Sequence, residues 1–152
     1  MIRLLAILLL CLAADDEIYE GDPAVGVKVY AAQSCGTCHK IDGEGVDLGP
    51  DLSHIGSLSA AYLKQSIREP NVVVADRYRG VTVVLTSGAR VRGRLDGETE
   101  SSIQLHDMNG RPRSFPKTEV KELVRETDSL MPAFVMPSTD VDNLVAYLKT
   151  KK

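Results

Sequence analysis

Residues 35–39, CGTCH, constrain this chain more than any other stretch, because they place two thiols and an imidazole in one short segment. Three chemistries use such a set: a redox-active dithiol, half of a zinc site, or covalent attachment of haem. Each requires different surroundings. A dithiol needs a βαβ unit, zinc needs further ligands, and haem needs an exported chain with a second iron ligand downstream.

The N-terminus has the layout of a secretory signal peptide. Arg3 precedes an apolar run over residues 4–12, which is followed by small residues and an acidic stretch. The run is too short to span a bilayer, which takes about 20 apolar residues. We therefore predict that residues 1–14 are removed and that the protein is periplasmic. Lipid anchoring at Cys11 is the disfavoured alternative, because Leu10 is bulky where such sites need a small residue.

Composition limits the size of the fold. With 152 residues, no Trp and a net charge of −3, the chain forms one domain or two very small ones. Its mild acidity favours neither nucleic acid nor a membrane surface as partner, and we expect no membrane span after signal cleavage. Residues 15–75 are predominantly acidic, whereas the charges nearly balance over residues 76–128. The chain therefore changes character near residue 76.

Helical patterns occupy both ends of the mature chain. In DPAVGVKVYAAQ, Asp22 can cap a helix that has proline at its first position. In SAAYLKQSIREP, Leu63 and Ile67 are spaced i, i+4, and proline ends the helix. STDVDNLVAYLKTKK opens at Ser138 or Thr139 and closes with lysines that suit the C-terminal dipole.

Between the second and third helices the pattern changes to that of strands. VTVVLTSGARVRGRL predicts a hairpin that turns at Gly88, and SIQLHDMNGRPRSF predicts another that turns at Asn109 and Gly110. EVKELV supplies a fifth strand. A compact five-stranded barrel or curled sheet is the simplest arrangement.

The surroundings of CGTCH separate the three chemistries. A redox dithiol needs a strand before its first cysteine, whereas a helical segment precedes Cys35. A zinc site needs two more ligands, but His54 and His106 lie in different segments without ligand-pair spacing. Haem attachment needs only the two thiols, the adjacent His39 and a sixth ligand in an exported chain. The haem interpretation is therefore favoured.

The segments GVKVYAAQSCGTCHKIDGEG, LGPDLSHIG, SLMPAF and VDNLVAYL follow one another as in class I c-type cytochromes, which the sequence resembles over nearly all of its mature length. It is similar more narrowly to a bacterial haem-binding domain family with a β-rich insert before the axial methionine. The resemblance implies an α+β fold. A small all-α cytochrome c fold, residues 15–75 and 129–152, would be interrupted by an inserted five-stranded antiparallel β-barrel-like subdomain, residues 76–128.

The resemblance also implies the site residues. Cys35 and Cys38 would hold one haem c covalently, His39 would be the proximal iron ligand, and the backbone carbonyl of Pro50 would orient its ring. The residues expected where the first and last helices cross are Gly26, Tyr30 and Tyr147.

The second iron ligand is predicted to be Met131, in SLMPAF directly before the last helix. Met136 is also followed by proline and is the alternative. Met108 falls in a hairpin turn and is expected to be exposed.

The predicted sheet carries a row of arginines. Arg90, Arg92 and Arg94 alternate and are expected on one strand face. The simpler interpretation is a solvated outer face paired with Glu98 and Glu100. The alternative is a docking surface for an acidic redox partner. Binding of RNA is disfavoured because an exported protein rarely meets it.

The predicted function is that of a periplasmic monohaem c-type cytochrome acting as an outer-sphere electron-transfer protein. Its partner would be a redox protein such as a periplasmic dehydrogenase or a terminal oxidase. The alternative is a haem-based redox or ligand sensor that uses the β insert as an interaction module. No enzymatic activity is expected, because the sequence offers no distal acid–base pair for a peroxidase.

Overall fold

The structure, a computed structural model, describes residues 20–152. The predicted signal peptide and Cys11 lie outside the described residues. The α-helices of the described chain are α1 (Pro23–Ala32), α2 (Ala60–Arg68) and α3 (Ser138–Lys149). A two-stranded sheet consists of β1 (Lys40–Ile41) and β2 (Glu44–Gly45). The large sheet consists of β3 (Arg79–Leu85), β4 (Arg90–Glu98), β5 (Ser102–Asp107), β6 (Pro112–Pro116) and β7 (Val120–Ser129). The predicted α+β class is confirmed.

The first two helices begin with side-chain caps. Asp22 Oδ1 accepts a hydrogen bond from the backbone N–H of Ala24 at 2.8 Å, as its position before Pro23 predicts. Ser59 Oγ accepts from the backbone N–H of Tyr62 at 3.2 Å at the start of α2.

The start of α3 differs from the prediction. The helix begins at Ser138, but Pro137 occupies the N-cap position and no side chain caps the first turn. Pro137 has a φ of −54° and a ψ of 149°, so the chain enters the helix directly from an extended segment. Neither Ser138 nor Thr139 is therefore the cap.

Helices α1 and α3 cross closely because a glycine lies at their contact. A Cβ on Gly26 would lie 2.0 Å from Asn143 O, so a side chain there would displace α3. The Tyr30 and Tyr147 rings pack edge to face with centroids 5.7 Å apart. The core of this helical part contains Val29, Ile41, Ala60, Leu63, Ile67, Met136, Val141, Leu144, Val145 and Leu148.

The large sheet has a hydrophobic core of its own and is open. Its strand order is β6-β5-β4-β3-β7, with antiparallel pairing throughout. The expected barrel-like closure is wrong, because β6 and β7 form two separate edges within the described residues. Strand β6 is short, with Pro112 and Pro116 at its ends, and proline cannot donate a ladder hydrogen bond. The core residues are Val81, Val83, Ile103, Leu105 and Phe115.

The arginines of β4 do not form a solvated face. Arg94 is only 5% exposed. The Arg92 guanidinium makes two hydrogen bonds to Glu126 Oε2 on β7, at 2.9 and 2.6 Å. Glu98 forms its ion pairs with Lys117 and Arg125. Of the three arginines only Arg90 is exposed, so the expected solvated row is wrong.

No helix within residues 20–152 combines the length and the hydropathy needed to cross a bilayer.

Candidate functional site

An apolar cavity of about 350 Å³ lies in the helical part. Its lining residues come from the chain before the large sheet and from the chain after it. Its apolar lining includes Leu52, Ile55, Leu58, Leu63, Ile67, Val73, Val74, Phe134, Leu144 and Leu148. Cys35, Cys38 and His39 line the same cavity, as do Met131 and Met136. The fold thus brings every predicted side-chain ligand to one apolar cavity.

His39 is fixed by one hydrogen bond. Its ring is buried, and Nδ1 lies 2.8 Å from the backbone oxygen of Pro50. A carbonyl oxygen can only accept, so Nδ1 carries the proton and donates, which leaves the Nε2 lone pair available to a metal. Burial lowers the pKa of His39 below its usual value, although the hydrogen bond to Pro50 opposes this shift. The ring is therefore neutral at physiological pH, the form that binds iron.

Gly49 makes room for this ring, and the sequence analysis did not single it out. A Cβ on Gly49 would lie 2.6 Å from His39 Cε1, closer than atoms pack. The sequence shows a glycine directly before Pro50, but the need for glycine there becomes evident only when the position of the His39 ring is known. Gly49 and Pro50 together determine the position of the imidazole.

The two cysteines lie at a tight turn directly after α1. Both are free thiols, and the backbone N–H groups of Cys38 and His39 donate to Cys35 O at 3.1 and 3.0 Å. Burial raises the pKa of Cys35 to about 11. A redox-active cysteine needs a lowered pKa, so this thiol has the opposite character from that of a dithiol oxidoreductase.

Nothing in the described chain supports a zinc site. Residues 20–152 contain no group of three or more His, Cys, Asp and Glu side chains arranged to hold a metal ion. His54 Nδ1 lies 2.8 Å from Lys152 O, and His106 is hydrogen-bonded to Asp96 in the large sheet. Both histidines are therefore engaged elsewhere, and neither lines the cavity that Cys35, Cys38 and His39 line.

The methionines fall into two groups. Met131 and Met136 line the cavity, and Met136 is also a buried member of the helical core. Met131 is partly buried and packs against that core, and its backbone N–H donates to Ser129 Oγ at 3.1 Å. Met108 is 38% exposed in the turn between β5 and β6, as expected.

These residues fit haem c. The cavity is lined by two thiols that are two residues apart in sequence, and its other walls are mainly hydrocarbon. A neutral imidazole also lines it, with one ring nitrogen already engaged in a hydrogen bond. Such a donor set among α-helices is that of the c-type cytochromes.

Comparison with known families agrees with this class. Residues 23–79 match the family model of cytochrome c, which supports a c-type cytochrome over this range. The matched range contains α1, CGTCH, Pro50 and α2. It ends at the first residue of β3, so it does not account for the large sheet. No curated protein matches the chain.

Proposed function

We propose that the protein is a periplasmic monohaem c-type cytochrome that carries single electrons between redox proteins. One observation carries the proposal: Cys35, Cys38 and His39 line a single apolar cavity, with the His39 ring held by Pro50. In this proposal residues 15–75 and 129–152 form the cytochrome part, and residues 76–128 form an inserted subdomain.

Cys35 and Cys38 would attach the haem. Each thiol would add across one vinyl group, so that sulfur bonds to one vinyl carbon and the proton goes to the other. This addition consumes no oxidant. The two sulfur atoms therefore need only to be reduced, and both cysteines are free thiols in the structure.

His39 would ligate the iron through Nε2, because its Nδ1 is engaged by Pro50 O. Met131 would be the second iron ligand, because Met136 is already packed into the buried helical core. The thioether is a soft donor that favours reduced iron. When bound, the haem supplies a one-electron ferric–ferrous couple. The apolar lining would limit the access of water to it, and two protein ligands would leave no open position for oxygen chemistry.

A mass spectrum of the matured protein tests the proposal. We expect the mature chain plus one haem, which denaturation does not release. The Cys35→Ala/Cys38→Ala double variant should carry no covalent haem, and each single variant should retain one thioether link or none. A wild-type chain with two free thiols and no haem, from a host with working maturation machinery, would contradict the proposal.

Export and partner choice belong to the same proposal. The signal peptide predicted over residues 1–14 supports a periplasmic location, where haem attachment takes place outside the cytoplasm. A redox protein such as a dehydrogenase or a terminal oxidase is the proposed partner, and nucleic acid is not. Fractionation of cells that express the full chain would test the location, and retention in the membrane fraction would favour a lipid anchor at Cys11.

A haem-based sensor is the second candidate, and one observation favours it: the large sheet contacts the loop next to His39 through Arg94. Carbon monoxide separates the two functions. A closed electron carrier should bind it slowly at neutral pH, whereas rapid binding by the ferrous protein would favour a sensor from which Met131 dissociates.

An enzymatic role has less support. Among the described residues, the cavity lining contains no Asp, Glu, Lys or Arg that could serve in a distal acid–base pair.

A further inference from the structure

A buried arginine joins the large sheet to the loop that follows CGTCH. Arg94, on β4, is 5% exposed. Its Nη1 donates to Asp47 Oδ1 and to Leu48 O, both at 3.2 Å. These two acceptors belong to the cytochrome part of the chain. The guanidinium therefore links two parts that are far apart in sequence.

The sheet holds this guanidinium from the other side. Asp96, two residues along β4, accepts hydrogen bonds from Arg94 Nε at 3.2 Å and from Nη2 at 3.1 Å. Asp96 is also hydrogen-bonded to His106 on the neighbouring strand β5. Arg94 is thus anchored within the sheet while it reaches out to the loop. A rigid, planar fork of donors suits this double engagement.

The turn between β5 and β6 makes a second contact with the same loop. Gly110 has a φ of 69°, and a Cβ on it would lie 2.0 Å from Val46 Cγ1. The turn therefore lies directly against Val46. Residues 46–48 are held by the sheet at two points.

The loop leads straight to the His39 ring. The backbone N–H groups of Leu48 and Gly49 donate to Cys38 O at 3.1 and 2.7 Å. Gly49 lies against the imidazole, and Pro50 accepts its Nδ1 hydrogen bond. Any displacement of residues 47–48 would pass to the carbonyl that orients the ring.

We propose that Arg94 is a positioning residue, through which the large sheet holds residues 47–50 and so sets the hydrogen bond between His39 and Pro50. The proposal rests on the proposed function in one respect, that His39 is an iron ligand. The hydrogen bond makes the imidazole more basic, and a more basic ligand stabilises ferric iron. Arg94 thereby contributes to the reduction potential without itself touching the haem-binding residues.

The test uses Arg94→Lys in the haem-loaded protein. Lysine keeps the charge but cannot reproduce the forked hydrogen bonds, so electrostatic effects on the potential stay small. Arg92→Lys is the matched control, because Arg92 lies two residues earlier on β4 and pairs with Glu126 inside the sheet. Two quantities are measured in both variants: the reduction potential, and the hydrogen exchange of the Leu48 and Gly49 amides and the His39 ring N–H in the reduced state.

In Arg94→Lys, we expect exchange at these positions to be faster by about tenfold, because charge-assisted hydrogen bonds to the loop are lost. Its reduction potential should rise above that of wild type. Arg92→Lys should leave both the exchange and the potential of the wild type unchanged. Equal exchange rates or equal potentials in the two variants would overturn the proposal.

A second variant keeps the test informative if Arg94→Lys folds poorly. Asp47 is largely exposed, so Asp47→Ala removes one arm of the contact without disturbing a core. Faster exchange at Gly49 in this variant supports the proposal, and wild-type exchange there counts against it. A chain that binds no haem would defeat the proposed function, whereas a haem-loaded chain that is indifferent to Arg94→Lys would defeat only this inference.

Discussion

Single residues decide how the imidazole of His39 lies. Gly49 leaves space for the ring, and an added Cβ would approach Cε1 to 2.6 Å. We therefore predict that Gly49→Ala displaces the ring, weakens the bond to Pro50 and lowers the fraction of chains that acquire haem at least several-fold. Haem content per chain, measured by absorbance and mass, checks this outcome.

Gly36→Ala is the matched control for this variant, since it adds the same methyl group within the CGTCH segment. The nearest atom to a Cβ on Gly36 is Tyr30 Cε1 at 3.7 Å, an ordinary contact. Its haem content should equal that of the wild type. Equal haem content in Gly49→Ala would mean that the ring has another place to lie.

The axial methionine gives the second prediction at this scale. Met131→Ala should lower the reduction potential, remove the weak sulfur-to-iron charge-transfer band at the red end of the ferric spectrum, and open the site to carbon monoxide. The physical reason is the loss of a soft donor that favours ferrous iron. Visible spectra and potentiometry of the haem-loaded variant provide the measurement.

Met136→Ala is the control, because Met136 lines the same cavity from within the helical core. It should keep the band and the potential while losing about 2 to 5 kcal/mol of unfolding free energy, the usual cost of truncating a buried methionine. The opposite pattern would transfer the ligand role from Met131 to Met136. Loss of the band in neither variant would favour a different ligand and the sensor function.

At the scale of elements, three strands of the sheet meet at one carboxylate. Glu126 on β7 accepts from Thr82 on β3 at 2.9 Å and from Arg92 on β4 at 2.6 Å. The hydrogen bond from Arg92 holds the pKa of Glu126 below its usual value of 4.5. A lowered pKa means that this interaction stabilises the fold above pH 4.5, and that the stability is lost as the pH falls through the lowered pKa.

Glu126→Gln should therefore destabilise the sheet by about 1 to 2 kcal/mol at pH 7. The difference from wild type should shrink as the pH falls below 4.5 and disappear below the lowered pKa, where the folded wild-type carboxylate is itself protonated. Urea unfolding at pH 7 and below pH 4.5, followed by circular dichroism, measures this difference in unfolding free energy. Glu122→Gln changes an exposed residue of the same strand and should cost little at either pH; a pH-independent penalty in Glu126→Gln would refute the explanation.

Elements that depend on neighbouring residues were predicted correctly, whereas a feature that depends on residues far apart in sequence was not. Local signals such as Asp22 before Pro23 and the glycines of the hairpin turns predicted helices and strands that the structure contains. Closure of the sheet was mispredicted, because it depends on whether β6 and β7 meet, and no local pattern encodes that pairing. The cap of α3 was mispredicted because Pro137 competes with two good capping residues.

The same distinction applies to the site. Cys35, Cys38 and His39 were predictable because the chain itself holds them together. The role of Arg94 was not, because it depends on a hydrogen bond to Asp47, which lies 47 residues away along the chain. Its alternation with Arg90 correctly described a strand face but could not say what covers that face.

At the scale of the whole molecule, the two hydrophobic cores differ in whether a cavity interrupts them. The core of the sheet is packed around Val83 and Leu105, both fully buried, whereas the helical core surrounds the cavity. We predict that the full-length Cys35→Ala/Cys38→Ala variant, made without haem, keeps its sheet and loses much of its helical structure. Amide exchange should show protected β3, β4 and β5 and weakly protected α1 and α3. Equal protection in both parts would show that the helices pack without the haem.

The chain enters and leaves the large sheet at one place. Arg79 at the start of β3 is paired with Ser129 at the end of β7, and the backbone N–H of Leu130 donates to Tyr78 O at 3.2 Å. The closure entropy of an excursion grows only slowly with its length, so lengthening or shortening the hairpins between these points costs little. For protein engineering, this pair is therefore a natural splice point: one sheet can be exchanged for another while the spacing between α2 and Met131 is preserved.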